Sequence, residues 1–373
     1  MIFDYFKKEG FNSMVGVPCS YFNSMMNCYH KNKKLIISNN EGEAVAIAAG
    51  KKLAGGNPIV FFQNSGFGNA LNPITSLIQT NKIPLLFMVS LRGDKLFGDE
   101  PQHLIMGKIT KNLFTSIGIR SEILDSSKNI KMIFRKIKDD MSEGKSFALI
   151  VKKGFFEKTK NLTKFVKKKI PKTYFLTKKK SLKKISRRNV INIIKKNVPT
   201  KSCIISSTGF LSRELYSLGD DSRNFYMVGA MGCSCSISLG VAMIKKNNNV
   251  ICIDGDGALL MRLGSMSNIS HYRPKKLLHF LINNESHEST GGQFSNAINV
   301  NFGQIASGFN YASVSVCDDI ETLISSISWC TRNDGPHFIE VKVKKITDPD
   351  FPRPSETPEF NARRFINYLS NLE

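Results

Sequence analysis

The sequence predicts two α/β domains, each built on a parallel sheet. The chain has 373 residues, enough for two or three domains of ordinary size. Its hydrophobic fraction of 41% is sufficient for packed cores. Short apolar runs alternate with helical patterns along both halves of the chain, an order typical of parallel strands connected by helices.

The first domain is expected over residues 1–155. Its apolar runs and its amphipathic stretches alternate, so each strand is followed by a crossover helix. The predicted strands are Ser13–Val17, Leu35–Ser38, Ile59–Gln63, Leu85–Leu91 and Phe147–Val151. The predicted helices are Tyr21–Tyr29, Glu43–Leu53, Leu71–Gln79 and Gln102–Ile117.

The second domain is expected over residues 186–373 and repeats the alternation. Its predicted strands are Cys203–Ser206, Phe225–Val228, Val250–Ile253, Leu277–Ile282 and His337–Val343. Its predicted helices run from Leu182 to Lys196 and over Phe210–Leu218, Ser234–Ile244, Leu259–His271, Phe302–Gly308 and Ile320–Cys330. The proline-rich tail Asp348–Pro358 is expected to be extended and to lead into a short helix.

The positive charge of the chain is concentrated in one segment. The formal net charge is +23; residues 152–188 contain sixteen basic residues and one acid, a net +15, which leaves +8 elsewhere. This segment has few aromatic side chains and uses mainly lysine, which argues against nucleic-acid binding as the main function. We predict a Lys-rich linker over residues 156–185 and no nucleic-acid partner. Contact with a polyanion or a membrane surface is the alternative.

The cysteines and the first residues of the sequence indicate the cellular compartment of the protein. The eight cysteines are scattered without a CxxC pair, which favours reduced thiols over a structural zinc site. The first residues lack the basic and apolar layout of a signal peptide. Since no apolar run approaches about 20 residues, we expect a cytoplasmic protein without a membrane span.

Polar residues follow two neighbouring strands of the second predicted sheet. Gly255-Asp256-Gly257-Ala258 comes just after strand Val250–Ile253, and Asn283-Asn284 closes the next strand. The glycines permit a sharp turn at a strand end, where open α/β sheets bind ligands, and the following helix offers N–H groups to a diphosphate. Asp256 and an asparagine oxygen are hard ligands suited to Mg²⁺. The spacing therefore predicts a diphosphate and magnesium site.

This pattern resembles the cofactor signature of thiamine diphosphate enzymes. The resemblance implies thiamine diphosphate and Mg²⁺ as cofactors, with cofactor contacts along the Gly255–Ala258 turn. It implies that Asp256, Asn284 and the main-chain carbonyl of Ser286 hold the metal. One extra residue lies between the two motifs relative to the family, so Asn283 is the alternative to Asn284.

The first domain contains a second part of the family pattern. Asn39–Gly50 is similar to the pyrimidine-domain signature, and the spacing to Gly50 selects Glu41 rather than Glu43. The resemblance implies that Glu41 shares a proton with the pyrimidine ring nitrogen; a glutamate that merely starts a helix is the alternative.

Gly229-Ala230-Met231-Gly232 resembles a third element of the same family. The carbonyl of Gly229 would accept from the aminopyrimidine, and Met231 would hold the cofactor bent, unless Met231 is only a core residue. The resemblance thus implies a pyrimidine-type domain followed by a diphosphate-type domain, without the middle domain of larger members. Because the glutamate of one subunit faces the diphosphate site of another in this family, at least a homodimer with its active site at the subunit interface is expected.

Four further segments are similar to the phosphonopyruvate decarboxylases. They are Gly16–Tyr21, Asn64–Asn69, Gly98–His103 and Asn283–Gln293. The resemblance implies conversion of 3-phosphonopyruvate to phosphonoacetaldehyde and CO₂ in phosphonate biosynthesis. Sulfopyruvate decarboxylase is the close alternative, since a sulfonate differs little from a phosphonate. Another 2-oxo acid decarboxylase or an acetolactate-synthase-like carboligase is less favoured, because carboligases normally carry a middle domain.

Several residues in these segments are candidates for handling protons and the substrate anion. Asp99 and His103 are four residues apart, on one face if a helix starts near Asp99, and His287 follows the metal loop. Each of the three has a purely structural role as the alternative. Hydroxyls and backbone N–H groups at Ser289, Thr290, Gly291 and Gly292 are candidate phosphonate donors, and Arg92 and Lys95 would add positive charge unless they are only solvated loop residues.

Overall fold

The computed structural model divides into two compact units, Met1–Lys167 and Lys168–Glu373. The structure describes residues 2–94, 98–125, 129–157, 159, 173–176, 185–346 and 351–372. Lys95 and most of the predicted linker lie outside the described residues. Within the linker range, Tyr174–Phe175 forms a strand of the second unit's sheet.

The first unit contains a six-stranded sheet in the order β2-β1-β3-β4-β6-β5, with every pair parallel. The strands are β1 (Ser13–Gly16), β2 (Leu35–Ile37), β3 (Pro58–Gln63), β4 (Leu86–Ser90), β5 (Arg120–Leu124) and β6 (Phe147–Val151). The helices are α1 (Ile2–Lys8), α2 (Asn23–Lys31), α3 (Glu41–Leu53), α4 (Phe67–Pro73), α5 (Leu104–Ser116) and α6 (Ile130–Ser142). A π-helical turn, Ile74–Gln79, continues α4.

The second unit contains a seven-stranded sheet in the order β7-β14-β15-β11-β10-β8-β9, again parallel throughout. Its strands are β7 (Tyr174–Phe175), β8 (Cys203–Ser206), β9 (Asn224–Tyr226), β10 (Val250–Gly255), β11 (Leu277–Asn283), β14 (Ser313–Cys317) and β15 (His337–Lys342). A small antiparallel hairpin joins β12 (Ser286–His287) to β13 (Gln293–Phe294). The helices are α7 (Arg187–Asn197), α8 (Phe210–Ser217), α9 (Ser234–Ile244), α10 (Asp256–Met261), α11 (Ser265–Tyr272), α12 (Phe302–Gly308), α13 (Ile320–Arg332) and α14 (Pro358–Ser370).

Both sheets are buried because helices cover parallel sheets on their two faces. Strands β4, β6 and β11 are buried at every residue, and β10 is buried at every residue except Gly255. The parallel register pairs Gly255 of β10 with Ile282 of β11, so both strands end at the same edge. The predicted fold class is confirmed, with two α/β units and no middle domain in the part of the chain that the structure describes.

Several elements were not predicted from the sequence, and one was predicted incorrectly. The missed elements are helices α1 and α6, strands β5, β7 and β14, and the β12–β13 hairpin. Strand β5 lies at the edge of its sheet and is polar, whereas α6 and β14 do carry recognisable patterns: apolar residues at helical spacing and a strict Ser-Val alternation. The single helix predicted over Leu259–His271 is wrong. Arg262 leaves the helical conformation at φ −138°, so α10 ends before it and α11 begins at Ser265.

Among the described helices, none combines the length and the apolar character needed to cross a bilayer.

Candidate active site

A cleft lies in the second unit, where β8, β10 and β11 end. Nine of the residues predicted from the sequence line this cleft: Met231, Gly255, Asp256, Gly257, Ala258, Asn284, Ser286, His287 and Ser289. They gather there because the carboxyl ends of neighbouring parallel strands meet at one edge of the sheet. The cleft therefore brings together the residues of the predicted diphosphate and metal site.

Asp256 begins α10 and is almost fully buried, with 3% of its surface exposed. Its Oδ2 accepts a hydrogen bond from Ser295 Oγ. Burial raises the pKa of the Asp256 carboxyl above its usual value, although the Ser295 hydroxyl and backbone N–H groups oppose this rise. A cation beside the carboxylate would offset the desolvation of its charge.

The two adjacent asparagines have different surroundings. Asn283 is the last residue of β11, and its Nδ2 donates to Glu340 Oε1 at 2.8 Å. Asn284 lines the cleft with Asp256, and its Oδ1 accepts from the backbone N–H of Ser286 at 3.1 Å. Since Asn284 lines the cleft beside Asp256 and Asn283 does not, the geometry favours Asn284 as the metal ligand.

His287 packs directly against the glycine turn. A Cβ atom on Gly257 would lie 2.4 Å from Cε1 and 2.9 Å from Nδ1 of His287, closer than any real contact. The absence of a side chain at position 257 therefore lets the imidazole approach the turn that follows β10. This places His287 on the wall of the cleft, beside Asp256.

The remaining predicted residues of this unit are not all at the cleft. Met231 lines it, and Gly229, three residues after β9, is not among the lining residues. Ser289, Thr290 and Gly291 are all exposed, but of the three only Ser289 lines the cleft. The Thr290 hydroxyl donates within its own turn, to His287 O at 3.1 Å and to Gln293 Oε1 at 3.0 Å. The structure thus supports Ser289 over its two neighbours as an anion donor.

Sequence reasoning missed part of the cleft wall, which also includes Arg187, Ser207, Thr208, Phe210 and Glu288. Ser207 and Thr208 follow β8 and could have been found by the strand-end rule that selected Asp256. The Ser207 hydroxyl oxygen is buried without a hydrogen-bond partner in the described part of the chain. A buried hydroxyl of this kind is suited to a ligand oxygen.

Glu41 lies in the first unit, at the first residue of α3, and is 9% exposed. Its Oε2 accepts from Asn69 Nδ2 of α4 at 2.8 Å. Gly66 lies so close that an added Cβ would be 2.0 Å from Glu41 Oε1. The carboxyl group therefore occupies the space that a side chain at position 66 would need.

Glu43 has a structural role in the same turn. It is fully buried, and its Oε2 accepts from the backbone N–H and the side-chain amide of Asn39 at 2.7 and 2.9 Å. The Glu43 N–H in turn donates to the Asn40 side chain, which caps α3. Because Glu43 holds the turn together, Glu41 is the glutamate that the geometry leaves for a ligand.

Asp99 and Arg92 form an ion pair in the first unit. Arg92 Nη2 lies 2.9 Å from Asp99 Oδ1, and its guanidinium stands 5.2 Å from the centre of the Tyr21 ring. Asn64 holds the Arg92 backbone through hydrogen bonds of 2.9 Å to its carbonyl and 3.2 Å from its N–H. The positive charge predicted at Arg92 is therefore compensated by Asp99.

Asp99 precedes the helix that carries His103. The helical conformation begins with a 3₁₀ turn at Pro101, so the face that the four-residue spacing predicts does not extend to Asp99. Burial raises the pKa of Asp99, but N–H groups of Gly93 and Glu100 and the charges of Arg92 and His103 lower it to a net value below the usual one. Asp99 is consequently an anion at neutral pH. His103 is 6% exposed, and its Nδ1 has no partner in the described ranges.

The cleft suits a magnesium diphosphate. The candidate metal ligands are the buried carboxylate of Asp256, the amide oxygen of Asn284 and the main-chain carbonyl of Ser286. All three are hard oxygens, which Mg²⁺ prefers. Hydroxyls of Ser207, Thr208 and Ser289 surround the same space and can donate to phosphoryl oxygens.

Comparison with known proteins supports a cofactor with a diphosphate group. Residues 1–111 match the model of the N-terminal TPP binding domain of thiamine pyrophosphate enzymes, and residues 211–341 match that of the C-terminal TPP binding domain. The second range contains most of the residues that line the cleft, and the first contains Glu41. Thiamine diphosphate is therefore the cofactor that both domains are built to bind.

Two curated relatives and one solved structure illustrate the similarity. A phosphonopyruvate decarboxylase of Streptomyces viridochromogenes is 32% identical over 366 residues, covering 97% of this chain and 92% of the relative. A sulfopyruvate decarboxylase of Methanosarcina acetivorans is 28% identical over 299 residues, covering 78% and 77%. The benzoylformate decarboxylase structure from Polynucleobacter necessarius has a TM-score of 0.75 at 12% identity, covers 93% of this chain and 98% of that one, and shows the shared fold alone.

Proposed function

Since the chain belongs to the thiamine diphosphate-dependent decarboxylase family that includes the phosphonopyruvate decarboxylases, we propose that it converts 3-phosphonopyruvate to phosphonoacetaldehyde and CO₂. The observation that carries the proposal is the similarity to a phosphonopyruvate decarboxylase over nearly the whole length of both chains. The reaction is a carboxy-lyase step, and we assign it to phosphonate biosynthesis.

The chain's own residues have distinct tasks in this reaction. Asp256, Asn284 and the carbonyl of Ser286 hold Mg²⁺, and Ser207 and Thr208 donate to the diphosphate. When bound, thiamine diphosphate supplies the carbon nucleophile and the electron sink for decarboxylation. Glu41 would share a proton with the pyrimidine ring nitrogen, and the Gly229 carbonyl and Met231 would orient the aminopyrimidine.

Proton transfer to the product requires a group that can carry a proton near neutral pH. Asp99 is ionised and paired with Arg92, so we assign it an orienting role rather than that of an acid. An imidazole can both accept and donate a proton, which makes His287 and His103 the candidate proton donors. Ser289 at the cleft wall is the candidate hydroxyl donor to the phosphonate.

We further propose that the active enzyme is a homodimer or a larger homo-oligomer with its active site at the subunit interface. The support is the family pattern in which Glu41 of one subunit serves the diphosphate site of another. Sedimentation of the purified protein during turnover tests this directly. An active monomer would contradict it.

The test of the proposed reaction is turnover of 3-phosphonopyruvate by the purified protein with thiamine diphosphate and Mg²⁺. Sulfopyruvate and pyruvate are assayed in parallel, and both CO₂ and aldehyde are quantified. Faster formation of phosphonoacetaldehyde than of either other product is the expected result. No turnover of any of the three acids, with the cofactor demonstrably bound, would refute the proposal.

Sulfopyruvate decarboxylation is the second candidate because the relative from Methanosarcina acetivorans aligns over 78% of this chain. A phosphonate carries up to one more negative charge than a sulfonate and can accept more hydrogen bonds. If sulfopyruvate is the preferred substrate, the fold, cofactor and site remain as described and the substrate assignment changes.

A further inference from the structure

A buried ionic cluster forms part of the cleft wall and has no role in the reaction as proposed above. It consists of Arg187 at the start of α7, Glu214 in α8, and Glu288 in the turn after β12. Arg187 is 4% exposed, and the Glu214 and Glu288 side chains are 0% and 4% exposed. Burying three ionisable groups is costly unless each has defined partners, so the cluster calls for an explanation.

The arginine connects two different parts of the unit. Its Nε donates to Glu214 Oε2, and its Nη1 donates to Glu288 Oε2. The rings of Phe210 and Phe351 flank the guanidinium, with centres 5.6 and 5.9 Å from its carbon. The planar guanidinium is thereby fixed in orientation, and it holds the Glu288 turn against α7 and α8.

The two carboxylates are not equivalent. Glu288 uses both oxygens, because its Oε1 also accepts from the backbone N–H of Ile346 at 2.7 Å. Glu214 uses only Oε2, and its Oε1 has no partner within the described residues. The Glu288 carboxylate therefore anchors its turn through both oxygens, whereas Glu214 contacts Arg187 through one oxygen only.

Glu288 lies in the short loop that carries the proposed metal and proton-transfer residues. It follows His287 directly and is two residues from Ser286, which supplies a carbonyl to the metal. The far end of this loop is attached to Asp256 through the Ser295 hydroxyl. Two side chains of the Ser286–Ser295 loop thus connect it to its surroundings: Ser295 contacts the Asp256 carboxylate, and Glu288 contacts Arg187.

We propose that Arg187 is a positioning residue that acts through Glu288 to hold the Ser286–Ser295 loop in its metal-binding geometry. Loss of the ion pair would release the carbonyl of Ser286 and the ring of His287 from their places. This inference rests on the proposed metal site at Asp256, Asn284 and Ser286.

Two conservative substitutions separate positioning from general stability. In Glu288→Gln, one amide N–H must face either Arg187 Nη1 or the Ile346 N–H, so donor meets donor and the turn shifts. In Glu214→Gln, the amide nitrogen can take the place of the unpartnered Oε1 while the oxygen still accepts from Arg187 Nε. Both variants neutralise a buried carboxylate on the same guanidinium, which makes Glu214→Gln the matched control.

The experiment measures Mn²⁺ binding by electron paramagnetic resonance on the full chain with thiamine diphosphate, without substrate. Glu288→Gln is expected to weaken Mn²⁺ binding about tenfold or more, the size typical for residues that orient metal ligands. Glu214→Gln should bind Mn²⁺ within about twofold of wild type. Arg187→Lys, which keeps the charge and loses the planar fork, should behave like Glu288→Gln and provides a second route if that variant does not fold.

The outcomes distinguish this inference from the metal site itself. Wild-type Mn²⁺ affinity in both Glu288→Gln and Arg187→Lys would overturn the positioning role, as would equal losses in Glu288→Gln and Glu214→Gln. Asp256→Asn is the reference. If Asp256→Asn binds Mn²⁺ as well as wild type, the proposed metal site fails, and the inference fails with it for a separate and identifiable reason.

Discussion

Replacing Gly66 with alanine is expected to disable the enzyme by moving one carboxyl group. The added Cβ would lie 2.0 Å from Oε1 and 2.1 Å from Cδ of Glu41, whereas an ordinary contact is at least 3.4 Å. Gly66 has a φ of −84°, which alanine adopts without strain. The substitution therefore acts on Glu41 and not on the backbone.

The size of the effect follows from the displacement. To reach an ordinary contact distance the Glu41 carboxyl must move by more than about 1 Å, and a misplacement of that size costs about 10²-fold in rate. A loss of about 10²-fold in kcat corresponds to about 2.7 kcal/mol of transition-state stabilisation. The hydrogen bond from Asn69 Nδ2 to Glu41 Oε2 must also lengthen or break, which removes a contact that orients the carboxyl in the wild-type protein.

Exchange of the cofactor's thiazolium C2 proton for deuterium, followed by proton NMR after acid quenching, isolates the step that depends on Glu41. Gly66→Ala should slow this exchange in parallel with kcat and leave thiamine diphosphate affinity within severalfold of wild type. Gly68→Ala is the matched control, because nothing lies within 4 Å of a Cβ at that position. Normal exchange in Gly66→Ala, or an equal loss in Gly68→Ala, would refute the reasoning.

Three further expectations concern the cleft and the ion pair. Gly257→Ala should lower turnover by pushing the His287 ring away. Because the effect acts through that ring, adding Gly257→Ala to a His287→Ala variant should lower turnover little further. Asn284→Ala should weaken Mn²⁺ binding at least about tenfold, whereas Asn283→Ala should cost stability of about 1–3 kcal/mol in denaturant unfolding and leave Mn²⁺ binding intact. The pKa of Asp99 is lowered by folding, so its ionised form stabilises the fold above about pH 4 and this contribution is lost as the pH falls further. Thermal unfolding of Asp99→Asn should therefore differ from wild type at pH 7 and converge with it below about pH 4; a constant difference would contradict the assignment.

The sequence was sufficient to predict that Asp256 and Asn284 lie at one edge of the sheet. Parallel strands β10 and β11 are neighbours both in the chain and in the sheet, so residues after each strand had to meet at one edge. The same rule applied to β8 would have added Ser207 and Thr208. Helix α6 and strand β14 were likewise accessible, because their apolar spacing follows the helical and strand periods.

Contacts between side chains far apart in the chain could not be predicted in this way. Ser295 and Asp256 are 39 residues apart, and Arg187 and Glu288 are 101 residues apart. Neither pair lies within one motif, and no periodicity relates them. Their association depends on where the loop after β11 folds back, which is determined by tertiary packing and not by local propensity.

Arg92 shows why charge alone is a poor guide to an anion site. The sequence made it a candidate for adding positive charge near the substrate, with a solvated loop residue as the alternative. The structure pairs it with Asp99 and places its guanidinium over the Tyr21 ring. An arginine already bound to a carboxylate adds little net attraction for a second anion. Recognition of a doubly charged phosphonate is therefore expected to rely on hydroxyl and backbone donors, as at Ser289, and on the field of the bound metal more than on Arg92.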